Sequence, residues 1–375
     1  MTTPSLSARR AALLAALLAS AAIAWIVWPA APPVAPRSQP SASASLPVVV
    51  PVAPSPSVPV PPPAPVADVP VSVASVVVAA EVASARVVLR GPWGEGPGQF
   101  GRRAAQEGSP EAPTALAIDA AGDVAVLDQV NRRVQRFRAG RFIGSLPLPN
   151  EAAQDVATTA DGRVAVLDRL GDPSLTLFDA AGRPSRTVPL VGGSITEGGA
   201  VTGLFAAADG LYVEREHREL VRLTDAHGEP DPARSTLWGR PTRDGRSLLR
   251  AAIADRLRGL VTVSAASRAT GAMDWSRTVA LDGLVLHLVL LDGDRRGRAF
   301  VGAVVARESA GVFTDAHVLV VRFDSAGAPD GTLRLPASPE ADELFRPIAI
   351  NDDGQVFALS PGPDGLALVE YPFAD

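Results

Sequence analysis

The chain has 375 residues, 47% of them hydrophobic, with 33 Gly, 35 Pro, no Cys and a formal net charge of −5. Gly and Pro at that density break helix interiors and exclude a helical bundle, and the lack of Cys excludes disulfides and thiolate metal sites. All 35 basic residues are Arg, which removes lysine Schiff-base chemistry, and the acidic balance argues against nucleic acid as the main partner.

In chain order, residues 1–28 come first as a membrane element. Arg9 and Arg10 precede Ala11 to Trp28, an uncharged run of 18 residues that is apolar except for Ser20. As a helix it would be roughly 27 Å long, enough to cross a hydrocarbon core. The two arginines would stay inside, which predicts a single-pass inner-membrane anchor with everything after Trp28 exported to the periplasmic side. The alternative is a cleaved signal peptide leaving a secreted protein, because Ala22-Ile23-Ala24 has the small-x-small pattern of a cleavage site. Residues 29–85 follow as a linker. Fifteen prolines fall between Pro29 and Pro70, a composition that favours extended polyproline II and gives a semi-rigid spacer rather than a core.

Residues 86–375 read as one repeat-built domain. It holds 32 Arg (all but Arg9, Arg10 and Arg37) against 38 acids (all but Asp68 and Glu81), a net of −6. An apolar strand, a turn rich in Asp and Gly, and a second alternating strand recur around Gly122, Gly162, Gly210, Gly259, Gly297 and Gly354. Asp-Gly between two alternating runs marks a tight hairpin, since Gly accepts the positive φ that the turn requires. A third and a short fourth strand follow in most copies, such as Leu175–Phe178 after Gly162. Four strands per unit at a spacing of 40 to 50 residues predict an all-β, six-bladed β-propeller with four-stranded blades. The stretch 265–283 is blurred, and five or seven blades remain compatible with it. Arg86–Arg90 is a strand with no partner before the first blade, and the last unit stops after its third strand. The two ends of the chain are therefore expected to pair, closing the ring and removing two exposed edges.

The run Gly91-Pro-Trp-Gly-Glu-Gly-Pro-Gly-Gln-Phe100, followed by Pro113–Asp119, Gly122–Asp128 and Asn131–Phe137, resembles one repeat of the NHL-repeat β-propellers. The second unit keeps only its Asp-Gly turn and Asp168, and the others keep the spacing. The resemblance implies a six-bladed propeller whose flat face binds proteins, peptides, RNA or small molecules, and in bacteria an exported sensor or scaffold. RNA does not suit an exported acidic head. Asp128, Asn131 and Arg132 read as turn residues bonding nearby backbone, and Phe100 and Phe137 as packing between blades.

Some six-bladed propellers are hydrolases or lyases built on a central metal, and that is the alternative to a binding or scaffold module. The inner strands, read as carrying Ala117, Ala157, Phe205, Ile253, Val289 and Ala349, bring no converging ligands. His287 reads as a core imidazole, and no catalytic residue, metal or cofactor is expected. The expected partner is a protein or peptide. Connections from fourth strand to next blade and turns from second to third strand share one propeller face, which would collect Trp93, His217, Trp238 and Arg240 as candidate ligand contacts. Trp and Arg are frequent interface hot spots. Both tryptophans precede Gly, however, and that equivalence favours packing between blades over ligand contact.

Overall fold

The computed structural model describes residues 85–104, 109–309, 311–336 and 345–373, and the expected anchor and almost all of the linker lie outside them. Among the described residues the strands form six four-stranded antiparallel sheets. The first strand, β1 (Arg86–Pro92), stands apart from its sequence neighbours. Blade one is β2 (Ala115–Ile118), β3 (Val124–Asp128), β4 (Arg133–Arg138) and β5 (Arg141–Pro147); blade two is β6 (Ala153–Thr158), β7 (Val164–Asp168), β8 (Ser174–Phe178) and β9 (Pro184–Pro189). Blade three is β10 (Val201–Ala207), β11 (Gly210–Arg215), β12 (Glu219–Asp225) and β13 (Thr236–Leu237); blade four is β14 (Arg240–Pro241), β15 (Ser247–Asp255), β16 (Leu260–Ser267) and β17 (Met273–Ala280). Blade five is β18 (Leu284–Gly293), β19 (Ala299–Ser309), β20 (Val312–Phe323) and β21 (Pro329–Pro336); blade six is β22 (Ile348–Ile350), β23 (Val356–Gly362) and β24 (Gly365–Tyr371), completed by β1.

The predicted closure is present. β1 pairs antiparallel with β24, from Arg86 opposite Glu370 to Pro92 opposite Gly365. Arg86 also donates to Glu370, which is buried and accepts a second bond from Gln355. A parallel bridge between Ala115 and Arg346 brings the inner strands of blades one and six side by side. The hairpins form for the expected reason: Gly122 has φ +82°, and the Asp119 carboxylate accepts the backbone N–H groups of Ala121 and Asp123.

One register differs from expectation. In blade four the turn between first and second strands is Thr242–Arg246, with Gly245 at φ +72°, and Gly259 lies between the second and third strands. Ile253 is therefore on β15, not on the inner strand, and Arg240 begins the inner strand instead of lying in a connection. The blurred stretch 265–283 resolves into the end of β16 and all of β17.

Strand direction sorts every connection to one of two faces. The links from fourth strand to next blade and the turns from second to third strand make the upper face; the remaining turns make the lower one. The chain enters β1 at Arg86 on the lower side.

Five buried apolar clusters seal five of the six seams. Leu89, Phe100, Phe357 and Leu368 join blades six and one, and comparable clusters join one to two, two to three, four to five, and five to six. None of the five spans blades three and four. That seam is held by polar contacts: Arg240 on Glu214 above, and Arg268 on Asp209 and Tyr212 below.

Candidate functional site

The polar seam gathers three of the four residues that the sequence singles out. Glu214 is near the end of β11, buried, and its two oxygens accept from Arg240 Nε and Nη2 at 2.9 and 3.1 Å. The same carboxylate meets His217 Nδ1 at 3.2 Å and the Thr202 hydroxyl at 3.1 Å. His217 and Glu216 both have positive φ, 54° and 50°, in the tight turn between β11 and β12. Non-glycine residues there store roughly 1–2 kcal/mol each. Arg240 also stacks over Phe205, 4.4 Å from the ring centre, and donates to the Leu291 carbonyl of blade five.

Burial would raise the Glu214 carboxyl, but the His217 bond and the Arg240 guanidinium outweigh it and hold it down to about 2, from an ordinary 4.5. A depressed carboxyl stabilises the fold above its ordinary value and loses that contribution as pH falls toward the folded value. The difference corresponds to about 3 kcal/mol. Acid denaturation followed between pH 4.5 and 2 is therefore expected to carry a Glu214 component. Glu214→Gln should be less stable at neutral pH and show a flatter slope through that window, and an unchanged slope would remove the carboxylate from the seam's energetics.

The two tryptophans part company. Trp93 is half-buried, donates Nε1–H to the Gly362 carbonyl of blade six at 2.9 Å, and lies under the Arg102 guanidinium. It packs between blades, as the Trp-Gly equivalence suggests. Trp238 does not: it remains 51% exposed, its carbonyl taking a bond from Arg250 while the indole faces solvent. Packing at that position is corrected: Trp238 lies in the two-residue link between β13 and β14 and stays exposed there.

Two arginines span the ends of the tunnel. On the upper side Arg346, just ahead of β22, reaches Asp155 of blade two at 2.9 Å, while Asp155 also accepts the N–H groups of Val156 and Leu204. Burial pushes the Asp155 carboxyl up, against the pull of Arg346 and those two backbone donors. On the lower side Arg243 of blade four reaches Asp352 of blade six at 3.0 Å and the Ile350 carbonyl at 2.6 Å. Neither pair was visible in the sequence beforehand. The available signal was an acid inside an otherwise core-facing strand, Asp155 next to Val156 and Ala157.

The residues carrying the NHL-like pattern act as a clamp. Asp128, fully buried, accepts from Gly101 N–H, Asn131 Nδ2 and Arg133 Nε at 2.8 to 2.9 Å. Asn131 and Arg133 in turn hold the carbonyls of Gly94, Glu95, Gly96 and Gln99. The structural reading of Asp128 and Asn131 holds, with the ion pairing made by Arg133 and not by Arg132, which only shapes the turn at φ 52°. Phe100 and Phe137 lie 5.8 Å apart inside the cluster between blades six and one.

Among the described residues no three His, Asp or Glu side chains group as metal ligands. His287 is half-buried on β18, and burial, then the charge of Arg256, push its imidazole below the ordinary value. His317 is buried with Nδ1 against the Asp315 carbonyl. No helix among the described residues is long and apolar enough to cross a membrane.

No family model matches the chain, and neither does any curated protein sequence. Among solved structures it is similar to a gluconolactonase from Xanthomonas campestris, with 17% identity, 77% of this chain and 99% of that one covered, and a TM-score of 0.39. It is also similar to a streptogramin B lyase (10% identity, 70% and 93% covered, TM-score 0.39). The WD40 repeats of RRP9 are similar at 11% identity, with 72% and 83% covered and a TM-score of 0.42.

Proposed function

We propose that the protein is an exported propeller of the NHL-repeat type, anchored in the inner membrane by residues 1–28 and spaced from it by residues 29–85, that binds a protein or peptide of the envelope. The observation that carries this reading is the distribution of exposed apolar side chains. Eight large ones stand exposed among the described residues; four of them (Leu170, Val191, Trp238 and Leu257) sit in connections or turns of the upper face, and Val312 opens β20 at its upper end. Val87, Ile143 and Met273 are the others, on strands at the ring's outer edge. Apolar side chains gathered on one face mark an interaction surface more than scattered ones do. Because the chain enters β1 on the lower side, that face points away from the linker's attachment. The rival reading is a hydrolase or lyase with a divergent central metal. It needs carboxylates free to ligate, and neither Asp155 at the upper end of the tunnel nor Glu214 in the neighbouring seam fits, since they are engaged by Arg346 and Arg240.

Photo-crosslinking residues placed in the full chain test the binding reading. Positions Leu170, Leu257 and Val312 are expected to capture an envelope protein, and Ile143 and Met273 to capture none. Equal capture from both sets, or none from the upper face, would sink it.

A further inference from the structure

The upper face is not electrically uniform, and exposed arginines surround its exposed indole. Trp238 lies between the second-to-third strand turns of blades three and four. The first of these turns carries Arg218 and the second reads Arg256-Leu257-Arg258, with Leu257 77% exposed. All three arginines are exposed. Among the described residues, neither Arg218 nor Arg258 is in an ion pair. Arg256 donates through Nη1 to the Val285 and Leu286 carbonyls, and no carboxylate among the described residues forms an ion pair with it. Of the nearby acids, Glu216 and Glu219 face Arg215, Asp282 faces Arg307, Glu214 is buried beneath Arg240, and Asp255 accepts the Arg258 backbone N–H within the turn itself. Arg218 reaches Glu219 only through longer-range attraction.

On an acidic head, an indole and a leucine flanked by three exposed guanidinium groups outside any ion pair among the described residues have a definite complement. We propose that this sector takes an acidic peptide segment of a partner protein, an apolar or aromatic side chain resting on Trp238 and Leu257 while flanking carboxylates meet Arg218, Arg256 and Arg258. This rests on the binding reading above and narrows it. Guanidinium–carboxylate pairs supply charge-assisted bonds and fix register, and an aromatic anchor inside a charged ring is the arrangement of an interface hot spot. Exposed pairs of this kind weaken as salt shortens the screening length.

The test uses the full chain in detergent and two fluorescein-labelled nine-residue peptides, one with a central Trp flanked by Asp and Glu, the other with Lys at every acidic position. Anisotropy titrations are expected to show the acidic peptide binding at least tenfold more tightly, with affinity falling as NaCl rises. Trp238→Ser and the Arg218→Glu/Arg258→Glu pair should each weaken it about tenfold. Both sets of positions are exposed, so unchanged melting is the accompanying control, and the charge-reversed pair should gain affinity for the basic peptide. Equal binding of the two peptides, or variants without effect, overturns the proposal. So does Trp238-dependent sedimentation with anionic phospholipid vesicles in the absence of peptide binding, which would assign the sector to a lipid surface. If the upper-face crosslinks persist while the acidic peptide is not preferred, only the narrower proposal falls; if the crosslinks are absent, the binding reading falls with it.

Discussion

A chain lacking residues 1–85 is expected to melt as a cooperative unit, whereas one lacking residues 1–92 should lose cooperative melting and aggregate. The seven residues between the two truncations are β1, the outer strand of blade six. Removing it strips β24 of its antiparallel partner along six paired positions and leaves an open hydrogen-bonding edge. It also removes Leu89, buried in the cluster that joins blades six and one. Leu89→Ala alone should cost about 2–5 kcal/mol. Glu370 would keep Gln355 but lose Arg86, leaving a buried carboxylate short of its cation. Circular dichroism melts with size-exclusion chromatography read the outcome, and equal melting of the two truncations would show that the ring does not depend on β1.

Asp155→Ala should be among the most damaging single substitutions, costing about 3–5 kcal/mol. Its carboxylate is fully buried and ties three blades together through Arg346 of blade six, Leu204 N–H of blade three and its own strand in blade two. Truncation leaves a half-buried guanidinium and two backbone donors without their acceptor, and each is penalised separately. Urea denaturation measures the loss. Arg346→Ala removes the other half of the same pair, so the double variant should be destabilised by clearly less than the sum of the singles. Additive effects would mean that the pair does not act across the tunnel.

Most of the architecture was legible because a propeller repeats itself. Asp-Gly turns and alternating strands gave the units, and an unpaired strand at one end with a missing one at the other gave the closure. Blade four misled for a physical reason. Its inner strand β14 is two residues long, so the Asp244-Gly245 turn has no apolar run before it. Residues 252–263 instead place alternating strands on both sides of Gly259 and imitate the repeat. At the site, Trp238, Arg240 and His217 could be named from residue type and topology, but the Glu214 carboxylate that joins the last two could not. It stands in Glu214-Arg-Glu-His-Arg-Glu219, which reads as a solvated charged turn. Glu214 and Glu219 are in fact buried while the three residues between Arg215 and Glu219 are exposed. What buries Glu214 is Arg240, 26 positions along the chain and on the next blade.

The direction in which the chain enters β1 has a mechanical consequence. If the head is tethered through its linker and held on the upper face, as proposed above, tension would be delivered to Arg86, at the lower end of β1, along the strand's own axis. β1 is then drawn lengthwise past β24. The bonds between the two strands run perpendicular to them, so the six paired positions resist in shear, all at once, and do not peel one after another. A tether joined at the opposite end of the same strand would have to unzip it row by row. The strand that fastens the ring is the one such a pull would load, and it would be loaded from the end at which it is hardest to extract.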